Sequence, residues 1–221
     1  MLARSSARPA LPALTDEQRQ WLEGRQELVL GTSAPDYPPF DITSGGRDYQ
    51  GLTAEYASLI GKALQLPVRV LRFSSRQAAV EALRQGDIDL LGSSNGYEAA
   101  SDGLALSSPY AIDQPVLVTR EDESRALDTG LGGMRLGMLY HYLPRQEVNS
   151  AYPKAELLAF GSSSQALSAV AFGQADVFIG DTISTHYQLN RGHLPRLRMA
   201  SFGQARGHRL RFCPCAARTG S

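Results

Sequence analysis

The chain has 221 residues, of which 43% are hydrophobic and 20% are charged, as in an ordinary globular protein. Lysine plus arginine and aspartate plus glutamate each number 22, so a formal net charge of zero argues against strong nonspecific attraction to nucleic acid or to an anionic membrane. No run of about 18 apolar residues predicts a transmembrane helix. The first residues lack the apolar core of a signal peptide, so an exported protein would have lost its signal or carry it upstream.

Strands and helices alternate in the first half of the sequence. Residues 1–13 are rich in Ala, Pro, Ser and Arg and are predicted to be disordered. A helix then begins at Thr15, with Gln18 as its capping-box partner and Trp21 and Leu22 as its buried face. The next predicted elements are a strand at 28–31, a loop at 32–49, a helix from 52 to 64, a strand at 68–73, a helix at 75–84 and a strand at 88–92. This order predicts a parallel sheet with helices on its faces.

The second half repeats the same order after a connecting strand at 116–119. Its predicted elements are a strand at 135–138, a helix at 144–150, a strand at 156–160, a helix at 162–172, a strand at 177–180 and a helix at 181–189. The fold class is therefore α/β. Two mainly parallel sheets flanked by helices are expected.

The two halves also match residue by residue at one offset. Phe73 and Phe160 are 87 positions apart, and the same shift pairs further apolar, glycine and aspartate residues. These pairs are Ala79 with Ala166, Val80 with Leu167, Ala82 with Ala169, Leu83 with Val170, Gly86 with Gly173, Asp89 with Asp176 and Leu90 with Val177. An internal repeat predicts two similar lobes with a cleft at the carboxyl ends of their strands, where open α/β sheets bind ligands. The two matched aspartates precede their strands and should face away from that cleft.

Five motifs in order resemble the bacterial solute-binding proteins of family 3 over residues 27–212. They are Leu30-Gly31 with Tyr37-Pro38-Pro39-Phe40, the segment 51–56, the segment 83–90, Ser107-Ser108-Pro109-Tyr110, and the segment 173–181. The resemblance implies a two-lobed Venus-flytrap fold of the periplasmic-binding-protein type II. Lobe one would comprise residues 27–115 and 203–221, lobe two residues 116–202, and residues 1–26 a leader with the N-terminal helix.

The leader at 14–22 resembles the helix that precedes flytrap domains in BvgS-like sensor histidine kinases. This resemblance implies a periplasmic sensory domain that binds a small molecule in the cleft, upstream of a membrane span and a kinase. It leaves room for a homodimer formed through the parent kinase. The alternatives are a transport-type receptor, a cleft enzyme such as a dehydratase, and a structural spacer.

The sequence carries no pattern that assigns catalysis. It lacks a nucleophile elbow, a metal-spaced His/Glu pair and a phosphate-binding glycine loop, so we predict no catalytic residue, no cofactor and no metal. Family members that bind amino acids hold the ligand carboxylate with an arginine, and the matching position here is Ala100. Because a methyl group cannot pair with a carboxylate, the resemblance implies a ligand other than a standard amino acid.

Candidate ligand-binding residues follow the strands of both lobes. They are Asp36, Tyr37 and Phe40 after the first strand, Ser93, Ser94 and Asn95 after the third, Tyr140 and His141 after the first strand of lobe two, and Asp181 at the end of its last strand. Each has a structural alternative. Tyr37 and Phe40 would pack the loop, the Ser93–Asn95 run would form a turn, Asp181 would cap the next helix, and His141 would be an ordinary loop histidine.

The C-terminal segment departs from the family. Residues 207–212 are predicted to form the strand that returns to lobe one, but 213–221 lack the apolar periodicity and length of the family's final helix. We expect a truncated or frame-shifted end. Cys213 and Cys215 are interpreted as incidental, because the members of a Cys-x-Cys pair are poorly placed to bond to each other.

Overall fold

The computed structural model describes residues 14–44, 48–96, 98, 104–127, 130–191, 194, 196–200, 210–212 and 216–218. Its helices are α1 (Asp16–Glu23), α2 (Leu52–Leu64), α3 (Arg76–Gln85), α4 (Arg145–Ala151), α5 (Ser163–Ala171) and α6 (Thr182–Arg191). Its strands are β1 (Leu28–Ser33), β2 (Ile42–Ser44), β3 (Asp48–Gln50), β4 (Val68–Phe73), β5 (Leu90–Leu91), β6 (Leu104–Leu106), β7 (Ala111–Asp113), β8 (Pro115–Arg120), β9 (Arg135–Leu139), β10 (Glu156–Phe160), β11 (Val177–Asp181), β12 (Leu197–Ala200), β13 (Leu210–Phe212) and β14 (Ala216–Arg218).

Two five-stranded sheets form the two lobes. The sheet of lobe one has the strand order β4-β1-β5-β14-β6, and that of lobe two has the order β10-β9-β11-β8-β12. In lobe one β1 is parallel to both neighbours, β4 and β5, and in lobe two β9 is parallel to both β10 and β11. The predicted two-lobed α/β fold is confirmed, and each lobe has one central strand whose carboxyl end can carry site residues.

The repeat at an offset of 87 is also visible in the structure. Ser75 and Ser162 both cap helices, since each hydroxyl accepts a hydrogen bond from the backbone N–H three residues later. The matched alanines Ala79 and Ala166 are fully buried under their sheets. Each lobe therefore presents a helix N-terminus and a strand end to the space between the lobes.

The matched aspartates hold the opposite ends of the lobes. A carboxylate oxygen of Asp89 accepts a hydrogen bond from the Val29 N–H at 2.9 Å, and one of Asp176 accepts from the Arg135 N–H at 2.8 Å. These backbone donors lie at the start of β1 and of β9, so both carboxylates face away from the cleft. Arg135 also lowers the pKa of Asp176, against the opposing effect of burial.

Two matched glycines turn the chain at helix ends. Gly86 has φ +83° and Gly173 has φ +73°, and an added Cβ would meet nothing within 4 Å at either position. Backbone strain is then the main cost of a side chain there. We expect Gly86→Ala and Gly173→Ala each to lower the free energy of unfolding by about 1 kcal/mol in urea denaturation.

Gly24 offers a matched control for these two substitutions. It ends α1 with φ −80°, and its added Cβ would lie at ordinary contact distances of 3.7 and 3.8 Å. Gly24→Ala should therefore change stability little. A loss at Gly24 equal to that at Gly86 would contradict the strain argument.

Several sequence predictions need correction. The capping box of α1 is present, but no residue of this helix is buried; Trp21 is 46% exposed, with the Arg25 guanidinium 4.6 Å above its ring. The predicted loop at 32–49 contains the hairpin strands β2 and β3, which pair antiparallel. The predicted connecting strand at 116–119 is an internal strand of lobe two, antiparallel to β11 and β12.

The C-terminal strands return to the first half of the chain. β13 pairs antiparallel with β7 in a separate two-stranded sheet, and β14 pairs with β5 and β6 inside the sheet of lobe one. The predictions for residues 1–13, Ala100, Cys213 and Cys215 lie outside the described residues. Within the described part of the chain, no helix is long and apolar enough to cross a membrane.

Candidate functional site

A cavity lies between the two lobes at the carboxyl ends of their central strands. Six of the nine predicted ligand-binding residues line it, namely Asp36, Tyr37, Ser93, Asn95, Tyr140 and His141. Its volume is about 30 Å³, which holds about two water molecules. Metabolite-sized ligands occupy cavities of about 300 Å³ or more, so such a ligand requires the lobes to part.

The other three predicted residues lie behind the cavity wall. Phe40 is fully buried in a hydrophobic cluster whose other buried members belong to lobe two. Ser94 is buried and its hydroxyl accepts a hydrogen bond from Arg76 at 2.9 Å. Asp181 is 1% exposed and accepts hydrogen bonds from the Ser184 N–H at 2.6 Å and from the hydroxyl of Tyr37. Its helix-capping alternative is thus seen in the structure.

The sequence prediction missed a buried ion pair in the cavity wall. The guanidinium of Arg76 meets the carboxylate of Glu98 through both oxygens, at 2.5 Å from Nε and 2.7 Å from Nη2. The two side chains are 12% and 7% exposed. Burial alone would disfavour both charges, but the pairing outweighs it and raises the pKa of Arg76 while it lowers that of Glu98.

One signal in the sequence could have pointed to Arg76. It occupies the first position of α3, where the helix dipole disfavours a cation, and its counterpart at the offset of 87 is Ser163. A basic residue at the first turn of only one of two matched helices suggests a partner elsewhere. The partner Glu98 lies 22 residues away and could not be identified from spacing.

A second buried carboxylate supports the lobe-one wall. Asp41 is 6% exposed and accepts hydrogen bonds from the hydroxyls of Ser93 and Tyr49. Burial raises the pKa of Asp41, although these hydrogen bonds act in the opposite direction. Ser93 has φ +53°, a left-handed conformation uncommon for a serine, and its hydroxyl is held toward Asp41.

Direct contacts join the lobes around the cavity. The hydroxyl of Tyr37 in lobe one donates to Asp181 in lobe two, and the side-chain amide of Asn95 donates to the Tyr142 carbonyl at 3.0 Å. The Tyr37 ring stacks on Phe40 at 5.5 Å between centroids and meets the edge of His141 at 6.3 Å. The lobes are therefore closed on each other, with polar and aromatic contacts that would break on opening.

His141 presents a buried ring nitrogen in this cavity. Its Nδ1 is buried and has no hydrogen-bond partner among the described residues. Burial lowers the pKa of His141 to about 4, with a further decrease from the charge of Arg76 and a partial offset from Glu98. The ring is therefore uncharged near neutral pH, and its buried Nδ1 lacks a hydrogen-bond partner among the described residues.

The low pKa of His141 makes stability depend on pH. The unfolded chain takes up a proton on this ring below its usual pKa of about 6.5, but the folded chain does so only near pH 4. The free energy of unfolding that depends on this proton uptake is thus at its maximum above about pH 6.5, and it falls as the pH decreases toward 4. Between pH 7 and pH 4, urea denaturation should show wild type losing about 2–3 kcal/mol more than His141→Gln.

The titration of Asp181 changes stability with pH in the opposite direction, so Asp181 must be present in both proteins that are compared. Burial raises the pKa of its carboxyl, with a further increase from Asp113. The folded state therefore holds a proton that the unfolded state has released, and this contribution is lost as the pH rises through the folded pKa. Wild type and His141→Gln both retain Asp181, so its effect cancels in the difference between their losses of stability. Equal losses in wild type and His141→Gln would contradict the assignment to His141.

The comparisons with known proteins agree with this geometry. The family model of the bacterial extracellular solute-binding proteins, family 3, matches residues 28–167. The chain is 45% identical over 192 residues to the virulence sensor protein BvgS of Bordetella bronchiseptica, an alignment that covers 87% of this chain and 15% of BvgS. The chain thus spans only a small part of the length of this relative.

Solved structures of BvgS periplasmic domains are also similar to this chain. The crystal structure of the B. pertussis BvgS periplasmic domain superposes with a TM-score of 0.72 and 39% identity, covering 99% of this chain and 42% of that one. The Bordetella pertussis BvgS periplasmic VFT2 domain has a TM-score of 0.79 at 22% identity, covering 91% of this chain and 85% of that one, and so supports the fold alone. The chain belongs to the bacterial extracellular solute-binding proteins, family 3.

Proposed function

We propose that this chain is a periplasmic sensory domain of a sensor kinase and that it binds a small molecule between its lobes. The observation that carries the proposal is the cavity lined from both lobes, with His141 presenting a buried nitrogen without a partner among the described residues. A ligand held by both lobes would change their relative position. Such a change can be passed to a connected domain.

The identities support a specific place within a BvgS-like protein. The match to the BvgS periplasmic domain is 39% identical, whereas the match to the BvgS periplasmic VFT2 domain is 22% identical. We infer that this chain corresponds to a flytrap unit other than VFT2. A homodimer formed through the parent kinase belongs to the same proposal.

We retain the proposed lobe boundaries of 27–115 with 203–221 for lobe one and 116–202 for lobe two. The pairing of β14 with β5 and β6 supports the assignment of the last segment to lobe one. The placement of β8 and β12 in one sheet supports the assignment of both to lobe two.

The domain is proposed to bind and not to transform its ligand. The titratable groups of the cavity wall are largely committed to structure, since Arg76 pairs with Glu98 and Asp41 accepts two hydroxyls. Asp36 similarly pairs with Arg72 at 2.9 Å and accepts the Thr43 N–H at 2.8 Å. These contacts support a binding role over acid–base chemistry.

A thermal-shift screen against a panel of metabolites tests the proposal. A ligand present at a hundred times its dissociation constant stabilises the folded state by about 2.7 kcal/mol, which raises Tm by about 5–10 °C for a domain of this size. Small-angle scattering on the same samples should show a change in the radius of gyration. No response to any compound would favour the structural-spacer alternative.

A matched pair of histidine variants locates the binding. His141→Gln should abolish or weaken the thermal shift, because His141 lines the cavity. His186→Gln should retain it, because His186 is exposed on α6 and contacts only Asn190 by hydrogen bonds among the described residues. Equal loss in both variants would contradict binding in the cleft.

A further inference from the structure

The guanidinium in the cleft is already occupied by a carboxylate of the same chain. Arg76 donates four hydrogen bonds, two to Glu98, one to the Ser94 hydroxyl at 2.9 Å and one to the Gly92 carbonyl at 2.8 Å. A guanidinium has five N–H donors in a planar fork, and its two-oxygen contact with Glu98 is the arrangement that a free carboxylate ligand would adopt. The geometry of Arg76 is therefore suited to binding a carboxylate, but Glu98 already occupies that position.

Glu98 also lies between the two lobes, where a ligand in the cleft would bind. It lines the cavity together with Arg76 of lobe one and His141 of lobe two. Its own backbone N–H donates to the side-chain oxygen of Asn95 at 2.9 Å, and the amide nitrogen of Asn95 donates across the cleft to the Tyr142 carbonyl at 3.0 Å. The segment that carries Glu98 is thus connected by one side chain to a contact that holds the lobes together.

The remaining space agrees with a filled site. The cavity of about 30 Å³ lies directly against Arg76 and Glu98 and does not admit a further carboxylate of metabolite size. A carboxylate ligand would have to displace Glu98 from Arg76, leaving one buried charge without a partner. That cost disfavours carboxylate ligands in the wild-type cleft.

We propose that Glu98 is a built-in carboxylate ligand of Arg76, and that the cleft contains a latent binding site for small carboxylates which the chain itself keeps filled. This inference rests on the proposed function for the role of the cleft as the ligand site. It follows that the wild-type domain selects ligands without a free carboxylate. Removal of the Glu98 side chain opens the latent site.

Formate, the smallest carboxylate, is the probe for this site. Glu98→Ala removes the resident carboxylate and leaves the guanidinium, so sodium formate should raise the Tm of this variant by about 5–10 °C at a hundred times its dissociation constant. Wild type should show no shift beyond that given by sodium chloride at equal ionic strength. Glu98→Gln, which keeps the space filled, should not respond to formate either.

An exposed ion pair provides the control for a general effect of losing a carboxylate. Arg69 and Glu27 meet at 2.7 Å with side chains 48% and 39% exposed. Glu27→Ala should change Tm little and should not respond to formate, because water already solvates Arg69.

Two outcomes would overturn the inference. One is an equal formate response in wild type and Glu98→Ala, and the other is a folded Glu98→Ala that does not respond. If this variant does not fold in buffer, formate during refolding should restore its near-ultraviolet circular dichroism, and a failure to do so counts against the inference.

The result is separable from the test of the proposed function. If a metabolite stabilises wild type but Glu98→Ala does not respond to formate, the proposed function is supported and the latent site is rejected. If Glu98→Ala responds to formate but no metabolite stabilises wild type, the latent site is supported and the proposed function is rejected.

Discussion

Replacing Arg76 with methionine should lower the free energy of unfolding by about 3–5 kcal/mol. The substitution keeps an unbranched apolar stem but removes the guanidinium, and so it leaves the carboxylate of Glu98, which is 7% exposed, without its counter-ion. The hydrogen bonds to Ser94 and Gly92 are lost as well. Urea denaturation at pH 7 measures the loss, because Glu98 is ionised in the unfolded chain at that pH.

Two controls separate the buried charge from other effects of the substitution. Arg69→Met breaks an exposed pair and should cost no more than about 1 kcal/mol. The double variant Arg76→Met with Glu98→Leu removes both charges and should recover most of the loss, since a buried ion pair can be replaced by apolar groups of similar volume. A double variant no more stable than Arg76→Met would contradict this explanation.

Replacing Phe40 with alanine should cost about 3–5 kcal/mol and also open the lobes. Phe40 comes from the loop after β1 in lobe one, yet it is fully buried in a cluster with lobe-two residues that include Met138 and Leu139. The truncation removes apolar contact across the cleft. It also removes the surface on which the Tyr37 ring stacks.

Denaturation and small-angle scattering together test the role of Phe40. The free energy of unfolding should fall, and the radius of gyration of the folded variant should increase. Phe172→Ala is the control, because Phe172 is 74% exposed and its loss should cost less than about 0.5 kcal/mol. An unchanged radius of gyration in Phe40→Ala would contradict a role in holding the lobes together.

Local pattern and the internal repeat predicted most of the described fold. The strands at 68–73 and 156–160 match β4 and β10 in both bounds, and the helices predicted at 75–84 and 162–172 match α3 and α5 to within one residue at each end. These features depend on near neighbours in sequence: alternation on a strand, and a hydroxyl placed before a helix.

The errors arise where contacts between distant residues decide the outcome. Trp21 has the spacing of a buried helix face, but α1 buries none of its residues against the described part of the chain, where the ring is 46% exposed. Phe40 was expected in the cavity or in its own loop, whereas it packs against lobe two. The pairing of Arg76 with Glu98 depends on where α3 and the segment after β5 meet, which composition and spacing do not encode.

The candidate site was predicted in its location more than in its chemistry. The carboxyl ends of β1, β5 and β9 carry the six predicted residues that line the cavity, because strand ends in α/β sheets converge on one edge. The charge balance of the site is set by tertiary pairing. The absence of Arg at position 100 implied a ligand other than a standard amino acid, and the structure contains a different arginine in the cavity wall, Arg76, paired with an internal carboxylate.

A crystal structure of wild type with the compound that gives the largest thermal shift tests the central claim most directly. The account predicts a single bound molecule between the lobes, in contact with Asp36 or Ser93 on one side and with Tyr140 or His141 on the other, with the Arg76–Glu98 pair intact. A molecule bound on the outer surface of either lobe, with the cleft unchanged from the ligand-free protein, would contradict it.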